Sequence, residues 1–220
     1  MQVWPFIPLV VALQPCCLAA DKPGSCTVDP DGFEGVCQSE SDLDAHLQAA
    51  WKHRQEEQPS LFRYVPPETA LVRRLGRFIA THCPGRATKR PLGRSVEHVV
   101  AGFDTENFHF GRVAMAEGLL FMPRLPEVTG NRCIAHDIQP NRTALLQDYP
   151  GAGGVVMINA NPLSQYHFLF APSLTSYHPQ VLTLSAIMDA LALLACAGPR
   201  LRLLYNSLGG AATVNHLHFQ

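Results

Sequence analysis

Apolar positions recur at helical spacing in two places in the first half of the chain. Leu43, Leu47, Ala50 and Trp51 share one helical face; Ser41 or Asp42 can cap that helix, and Lys52-His53-Arg54 stand near its C-terminal end, where positive charge is favoured. Leu71, Leu75, Phe78 and Ile79 repeat in the same way, so residues 68–82 read as a second helix stopped by Pro84-Gly85. From residue 96 the texture changes to short apolar runs divided by Gly, Pro and Asn. Residues 107–113, 118–123, 154–159, 166–171, 201–206 and 212–220 carry strand signals. Between the last two groups, the Leu- and Ala-rich stretch 181–197 suits a buried helix ended by Gly198-Pro199. Strands with one long helix before the final pair give an α+β fold, an antiparallel sheet with helices packed beside it.

The N-terminus falls outside this pattern. Residues 1–20 are apolar and uncharged from Val3 to Leu18 and end in Leu18-Ala19-Ala20, which reads as a signal peptide or an atypical N-terminal segment packed on the domain. The run is too short to span a membrane, and Pro5, Pro8 and Pro15 break it. Residues 21–42, rich in Asp, Glu, Ser, Gly and Pro, read as a flexible linker, which leaves 43–220 as the folded domain.

Composition narrows the chemistry. Lys and Arg total 17 against 18 Asp and Glu, so no net field draws the chain to nucleic acid or an anionic membrane, and phosphate binding has to be local. Arg73, Arg74, Arg86, Lys89, Arg90 and Arg94 form a basic cluster that suits either a diphosphate or a solvated surface. The seven cysteines contain no CxxC pair. Cys26 and Cys37 can close a loop in an oxidising compartment or stay as thiols, and Asn141-Arg142-Thr143 is a glycosylation sequon only if the chain enters the secretory route.

The residues with most to say about chemistry are the last sixteen. In a strand, His216, His218 and Gln220 project to one side while Leu217 and Phe219 enter the core. Just before them, Gly209-Gly210 lets backbone N–H groups approach an anion unhindered. A neutral imidazole is a good nucleophile near pH 7, so histidines beside such a turn suit attack on phosphorus. Two other readings fit an isolated HxH: polar residues on a solvated face, or a zinc site completed by a third ligand such as His167.

The stretch from Asn206 to Gln220, NSLGGAATVNHLHFQ, resembles the signature of the GDP-D-glucose and GDP-L-galactose phosphorylases, within the histidine-triad and galactose-1-phosphate uridylyltransferase superfamily. Upstream segments agree in order: Lys89-Arg90-Pro91, Phe103-Asp104 with Phe108-His109-Phe110, Ile158-Asn159-Ala160-Asn161-Pro162, and His167-Phe168-Leu169, so that the likeness runs from about Trp51 to Gln220. The resemblance implies a histidine-triad-like sheet and phosphorolysis of a GDP-hexose through a covalent GMP-histidine, with no cofactor and no metal. By position in the motif it implies His218 as nucleophile, His216 as the group that orients the phosphoryl, and Gln220, Asn206, Thr213, Gly209 and Gly210 as further phosphate contacts. Gln220 stands where the superfamily's hydrolases often carry a third histidine, which implies transfer rather than hydrolysis by analogy. The implied partners are GDP-hexose, with GDP-D-glucose the expected sugar nucleotide, and inorganic phosphate, in the cytosol; a homodimer is a further expectation. A catalytically inactive nucleotide-sugar binding protein is the alternative. The chain departs from the family pattern where Tyr166, not Gly, precedes His167, and family members continue well past the equivalent of Gln220, so the expected domain is incomplete at its C-terminal side.

Overall fold

A computed structural model describes residues 10–13, 40–65, 71–75, 78–82, 96–122, 135–138, 144–148, 154–197 and 200–220. Its first helix, α1 (Glu40–Glu57), buries Leu43, Leu47 and Trp51, which lie four apart on one face, against the second helix α2 (Leu184–Ala197). Arg54 in the last turn of α1 donates to the Ile138 carbonyl at 2.9 Å, tying the helix to the sheet below it.

The strands, in chain order, are β1 (Val10–Leu13), β2 (Leu71–Leu75), β3 (Phe78–His82), β4 (Gly118–Met122), β5 (His136–Asp137), β6 (Gly154–Ile158), β7 (Phe168–Ala171) and β8 (Leu203–Asn206). Four of them form an antiparallel sheet in the order β5-β4-β6-β7. A second antiparallel pair joins β8 to β1, with Val10 opposite Asn206 and Leu13 opposite Leu203. The α+β architecture with an antiparallel sheet and two helices therefore follows the sequence reading. The N-terminal apolar run supplies an edge strand to β8, while the rest of residues 1–20, and residues 21–39, lie outside the described residues.

Three expected elements differ. Residues 68–82 contain a hairpin, not a helix, with Leu71 opposite His82 and Leu75 opposite Phe78. The spacing of Leu71, Leu75, Phe78 and Ile79 fits a helix face as well as two paired strands, and Gly76, between the strands in sequence, is a residue type that hairpins favour. Residues 107–113 are not a strand: Phe110–Arg112 form a single 3-10 turn between extended residues. Residues 212–220 become extended only at their end, where the Phe219 and Phe170 backbones exchange hydrogen bonds of 2.8 and 3.0 Å. On the other side the Gln220 and Leu204 backbones exchange bonds of 2.8 and 2.7 Å. The 219–220 segment thus inserts between β7 and β8 and stitches the four-stranded sheet to the β8–β1 pair.

Both faces of the central strands are covered. Leu120, Met122, Val156, Ile158, Phe168, Phe170, Leu217 and Phe219 face the helices. Phe121, Val155, Met157, Leu169 and Ala171 face a second core with Phe110, Val113, Ile138, Leu146 and Leu174. This two-residue alternation assigns His216 and His218 to the second face. Cys196 on α2 is disulfide-bonded.

Candidate functional site

The expected alternation holds: Leu217 and Phe219 enter the helix-side core, and the two histidines lie on the opposite side. That side is not a solvated surface. His216 is 0% and His218 5% exposed, because the 102–113 loop and the 173–177 turn cover them.

The His218 and Phe110 rings meet in a T-shaped pair, centroids 4.9 Å apart. Its Nδ1 lies 2.8 Å from its neighbour's carbonyl, His216 O, and 2.9 Å from Gln180 Oε1. A carbonyl oxygen only accepts, so Nδ1 carries the proton and Nε2 keeps the lone pair. Among the described residues no hydrogen bond reaches Nε2. Burial pushes the ring's pKa down to about 4, against a smaller upward pull from the His216 carbonyl, so the imidazole is neutral at pH 7.

His216 has the opposite tautomer. The Phe110 backbone N–H donates to its Nδ1 at 3.1 Å, which leaves the proton on Nε2. That Nε2 is wholly buried and makes no hydrogen bond of good geometry among the described residues, although the Leu174 carbonyl lies near enough to favour the charged ring. Burial first, then the neighbouring His109 and His218, push its pKa down to about 3. Its ring belongs to a closed tetrad with Phe103, His109 and Tyr177, every pair having centroids within 6.0 Å. Tyr177 reaches that position from a left-handed backbone, φ 51°. His109 is also buried, with Nδ1 lacking a hydrogen bond among the described residues, and burial and then Arg112 lower its pKa. Phe110 is buried beside it, whereas Phe108 is 54% exposed.

The remaining expected residues divide. Gln220 Nε2 donates to Asn206 Oδ1 at 3.0 Å, and Asn206 Nδ2 donates to the Gly210 carbonyl at 2.8 Å, a chain that ties the end of β8 to the turn. Gly209 takes φ 74°, where glycine is unstrained. The Gly210 N–H is engaged inside the turn by Ser207 O at 2.9 Å. Thr213 is exposed, and no hydrogen bond joins it to this group among the described residues. His167, the third ligand a zinc site would need, accepts from the Leu163 N–H at 2.8 Å through Nδ1, and its Nε2 lies 3.4 Å from Asn159 Nδ2. Among the described residues no three His, Cys, Asp or Glu are grouped to hold a metal. Of the basic cluster, Arg73 and Arg74 lie on β2 and the others fall outside the described residues, as do Lys89-Arg90-Pro91, Cys26, Cys37 and Asn141.

Sequence reasoning missed Gln180. This side chain, 1% exposed, touches Asn206 and His218, and its own backbone N–H donates to Asn215 Oδ1 at 2.9 Å. Asn215 in turn donates to the Gly102 carbonyl at 2.7 Å, drawing in the loop that carries Phe103. A lone Gln after His178-Pro179 carries no signal in the sequence.

The arrangement offers one buried imidazole with a free lone pair beside a second with a buried N–H donor. Comparison with known proteins bears on what it serves. A family model described as GDPGP1-like, N-terminal domain, matches residues 42–220. GDP-D-glucose phosphorylase 1 of Macaca fascicularis is 32% identical over 194 residues, 86% of this chain and 46% of the relative. The human protein of that name is 32% identical over 81% of this chain and 42% of its own length. GDP-L-galactose phosphorylase 1 of Arabidopsis thaliana is 32% identical over 81% of this chain and 39% of its own length. The chain thus spans under half the length of these relatives. No solved structure matches it. With 179 residues matched, from 42 to 220, the chain belongs to the GDPGP1-like family and carries its N-terminal domain.

Proposed function

We propose that the chain is the nucleotidyl-transfer part of a GDP-hexose phosphorylase, with GDP-D-glucose as the expected substrate and His218 as nucleophile. The observation that carries this is the state of His218: neutral, protonated at Nδ1, with Nε2 unengaged. In the first step Nε2 forms a bond to the α-phosphorus of the sugar nucleotide, and the bond from that phosphorus to the bridging oxygen breaks, so hexose 1-phosphate leaves with the electron pair. In the second, an oxygen of inorganic phosphate attacks the same phosphorus, the nitrogen–phosphorus bond breaks, and GDP is released with His218 restored. The buried Nε2–H of His216 suits a donor to a non-bridging oxygen as charge builds there, an effect worth roughly 10²–10³-fold in rate for one such donor. Gln220, fixed through Asn206, would contact the same phosphoryl group, with Thr213 and the Gly209-Gly210 turn at its margin.

Incubating the chain with GDP-glucose and phosphate should yield GDP and glucose 1-phosphate, and omitting phosphate should trap GMP on His218, visible by mass spectrometry. His218→Asn should abolish both. Binding of GDP without turnover or labelling, unchanged in His218→Asn, would overturn the transfer reading in favour of a nucleotide-sugar binding protein.

For location, the resemblance implies the cytosol, while the disulfide at Cys196 favours the secretory route, where such bonds persist. The two differ at the mature N-terminus. Cleavage after Ala20 removes β1 and bares the edge of β8, whereas a chain starting at Met1 keeps that edge covered.

A further inference from the structure

The ladder between β8 and the terminal segment is interrupted at the nucleophile. Leu204 and Gln220 exchange both backbone hydrogen bonds, so by the two-residue period of an antiparallel ladder the next reciprocal pair is Asn206 with His218. The side chain of Gln180 occupies that place instead. Its Nε2 donates to Asn206 O at 2.8 Å and to His218 O at 3.0 Å, and its Oε1 accepts from the His218 N–H at 2.8 Å. The amide stands in for a peptide unit of the missing rung. The same Oε1 lies 2.9 Å from Nδ1 of the His218 ring.

The orientation of this amide is not free. Turning it over would set NH₂ against the His218 N–H and the Nδ1–H, and oxygen against two carbonyl oxygens, so all four contacts would become repulsive. The Gln180 backbone is held as well: Tyr205 OH donates to its carbonyl at 2.8 Å, and its N–H is taken by Asn215. We propose that Gln180 is a positioning residue for His218: its side chain, wedged into the ladder and locked by two donations to carbonyls, holds the imidazole as the Nδ1–H tautomer and leaves Nε2 as the free lone pair. A second acceptor, His216 O, bears on the same proton from the segment itself. A histidine at the end of a continuous ladder would have that one acceptor; here the ring is gripped from two directions. Second partners of metal-ligating histidines are worth roughly 10–100-fold in affinity or activity, and the same scale is expected of this one.

The inference rests on His218 being the group that takes up the nucleotide, but the tautomer is measurable without turnover. The titratable groups around the histidine pair are His216 on the same segment and, acting on His216, His109 on the 102–113 loop and His178 before α2. Long-range ¹⁵N–¹H spectra of the imidazoles in the full chain, with His218→Asn to assign the resonance, should show His218 as Nδ1–H at pH 7. Gln180→Glu presents a carboxylate to Nδ1 and should raise the midpoint of the His218 titration by about 1–3 pH units. Gln180→Leu should slow guanylylation by GDP-glucose roughly 10–100-fold. The Nε2–H tautomer in the unaltered chain overturns the proposal, whether or not either variant folds. So does a folded Gln180→Glu chain whose His218 midpoint has not moved. A chain that shows the Nδ1–H tautomer and the shifted midpoint but never acquires GMP sinks the transfer reading and leaves Gln180's hold on the ring intact.

Discussion

Lowering the pH should destabilise this domain through a contest between two imidazoles and one carboxyl. His216 and His218 are pushed down from 6.5 to about 3 and about 4, in both cases by burial above all. Their contribution is whole above pH 6.5 and is lost as pH falls toward the folded values, because only the unfolded chain accepts the protons. Glu117 runs the other way. Burial raises it from 4.5 to about 7 against the smaller pull of Arg63, so its contribution is whole below 4.5 and lost as pH rises through about 7. Between pH 6.5 and 4.5 the unfolded chain therefore takes two protons the folded chain refuses, while the folded chain keeps one the unfolded chain has released. The net difference is one proton, a loss of about 1.4 kcal/mol per pH unit of acidification. Over two pH units that is about 3 kcal/mol, a large part of the 5–15 kcal/mol typical of a domain. His109, held below its usual range as well, steepens the fall. Urea unfolding at pH 7, 6 and 5, followed by the fluorescence of the buried Trp51, measures the slope. His218→Asn should bring it to near zero apart from the share of His109, and Glu117→Gln should nearly double it. Stability that stays level or rises from pH 6.5 to 4.5, or a His218→Asn slope equal to that of the parent, would refute the reasoning.

Two further substitutions test the frame around the site. Tyr166 has φ 58° and sets its ring edge-on to Trp51 at 5.4 Å, so Tyr166→Gly relieves about 1–2 kcal/mol of backbone strain and loses a contact worth about 0.5–1.5 kcal/mol together with unfolded-chain entropy. Its melting free energy should stay within about 1 kcal/mol of the parent, and a loss beyond twice that would mean the Trp51 contact anchors α1. A methyl group on Gly154 would stand 2.7 Å from Phe170 Cζ, in a core where Phe170 is 2% exposed; Gly154→Ala should cost about 1–3 kcal/mol in chemical denaturation.

What the sequence disclosed and what it hid follow from the range of the interactions. The runs that became β4, β6, β7 and β8 were legible because their composition is local evidence, and so was α2, whose length excludes a strand. The 68–82 segment was misread because four apolar residues at that spacing satisfy a helix face and a hairpin equally, and Gly76 was the only local sign of the turn. In the site, the shared side of His216 and His218 was legible from alternation alone. Their burial was not, since it depends on Phe103, Phe110 and Tyr177 arriving from other parts of the chain. Gln180 was out of reach for the same reason: its bonds to His218 cross 38 residues, and no periodicity relates the two.

Burial of the proposed nucleophile invites a simple explanation that the magnitudes reject. An exposed imidazole with a pKa near 6.5 is already about three-quarters neutral at pH 7, so driving it to about 4 gains roughly 1.3-fold in reactive species. A weaker base is also a poorer nucleophile, which consumes part of that gain. The benefit of enclosing His218 must lie elsewhere, in geometry and in the exclusion of water, which between them are worth orders of magnitude. Enclosure also bears on the second step. A GMP-histidine open to solvent would meet water at far higher concentration than phosphate, so the proposed transfer requires that the one be kept out and the other admitted. A ring held at Nδ1 by Gln180 and His216 O and covered by Phe110 is suited to that choice, and the ratio of GDP to GMP released measures how well it is made.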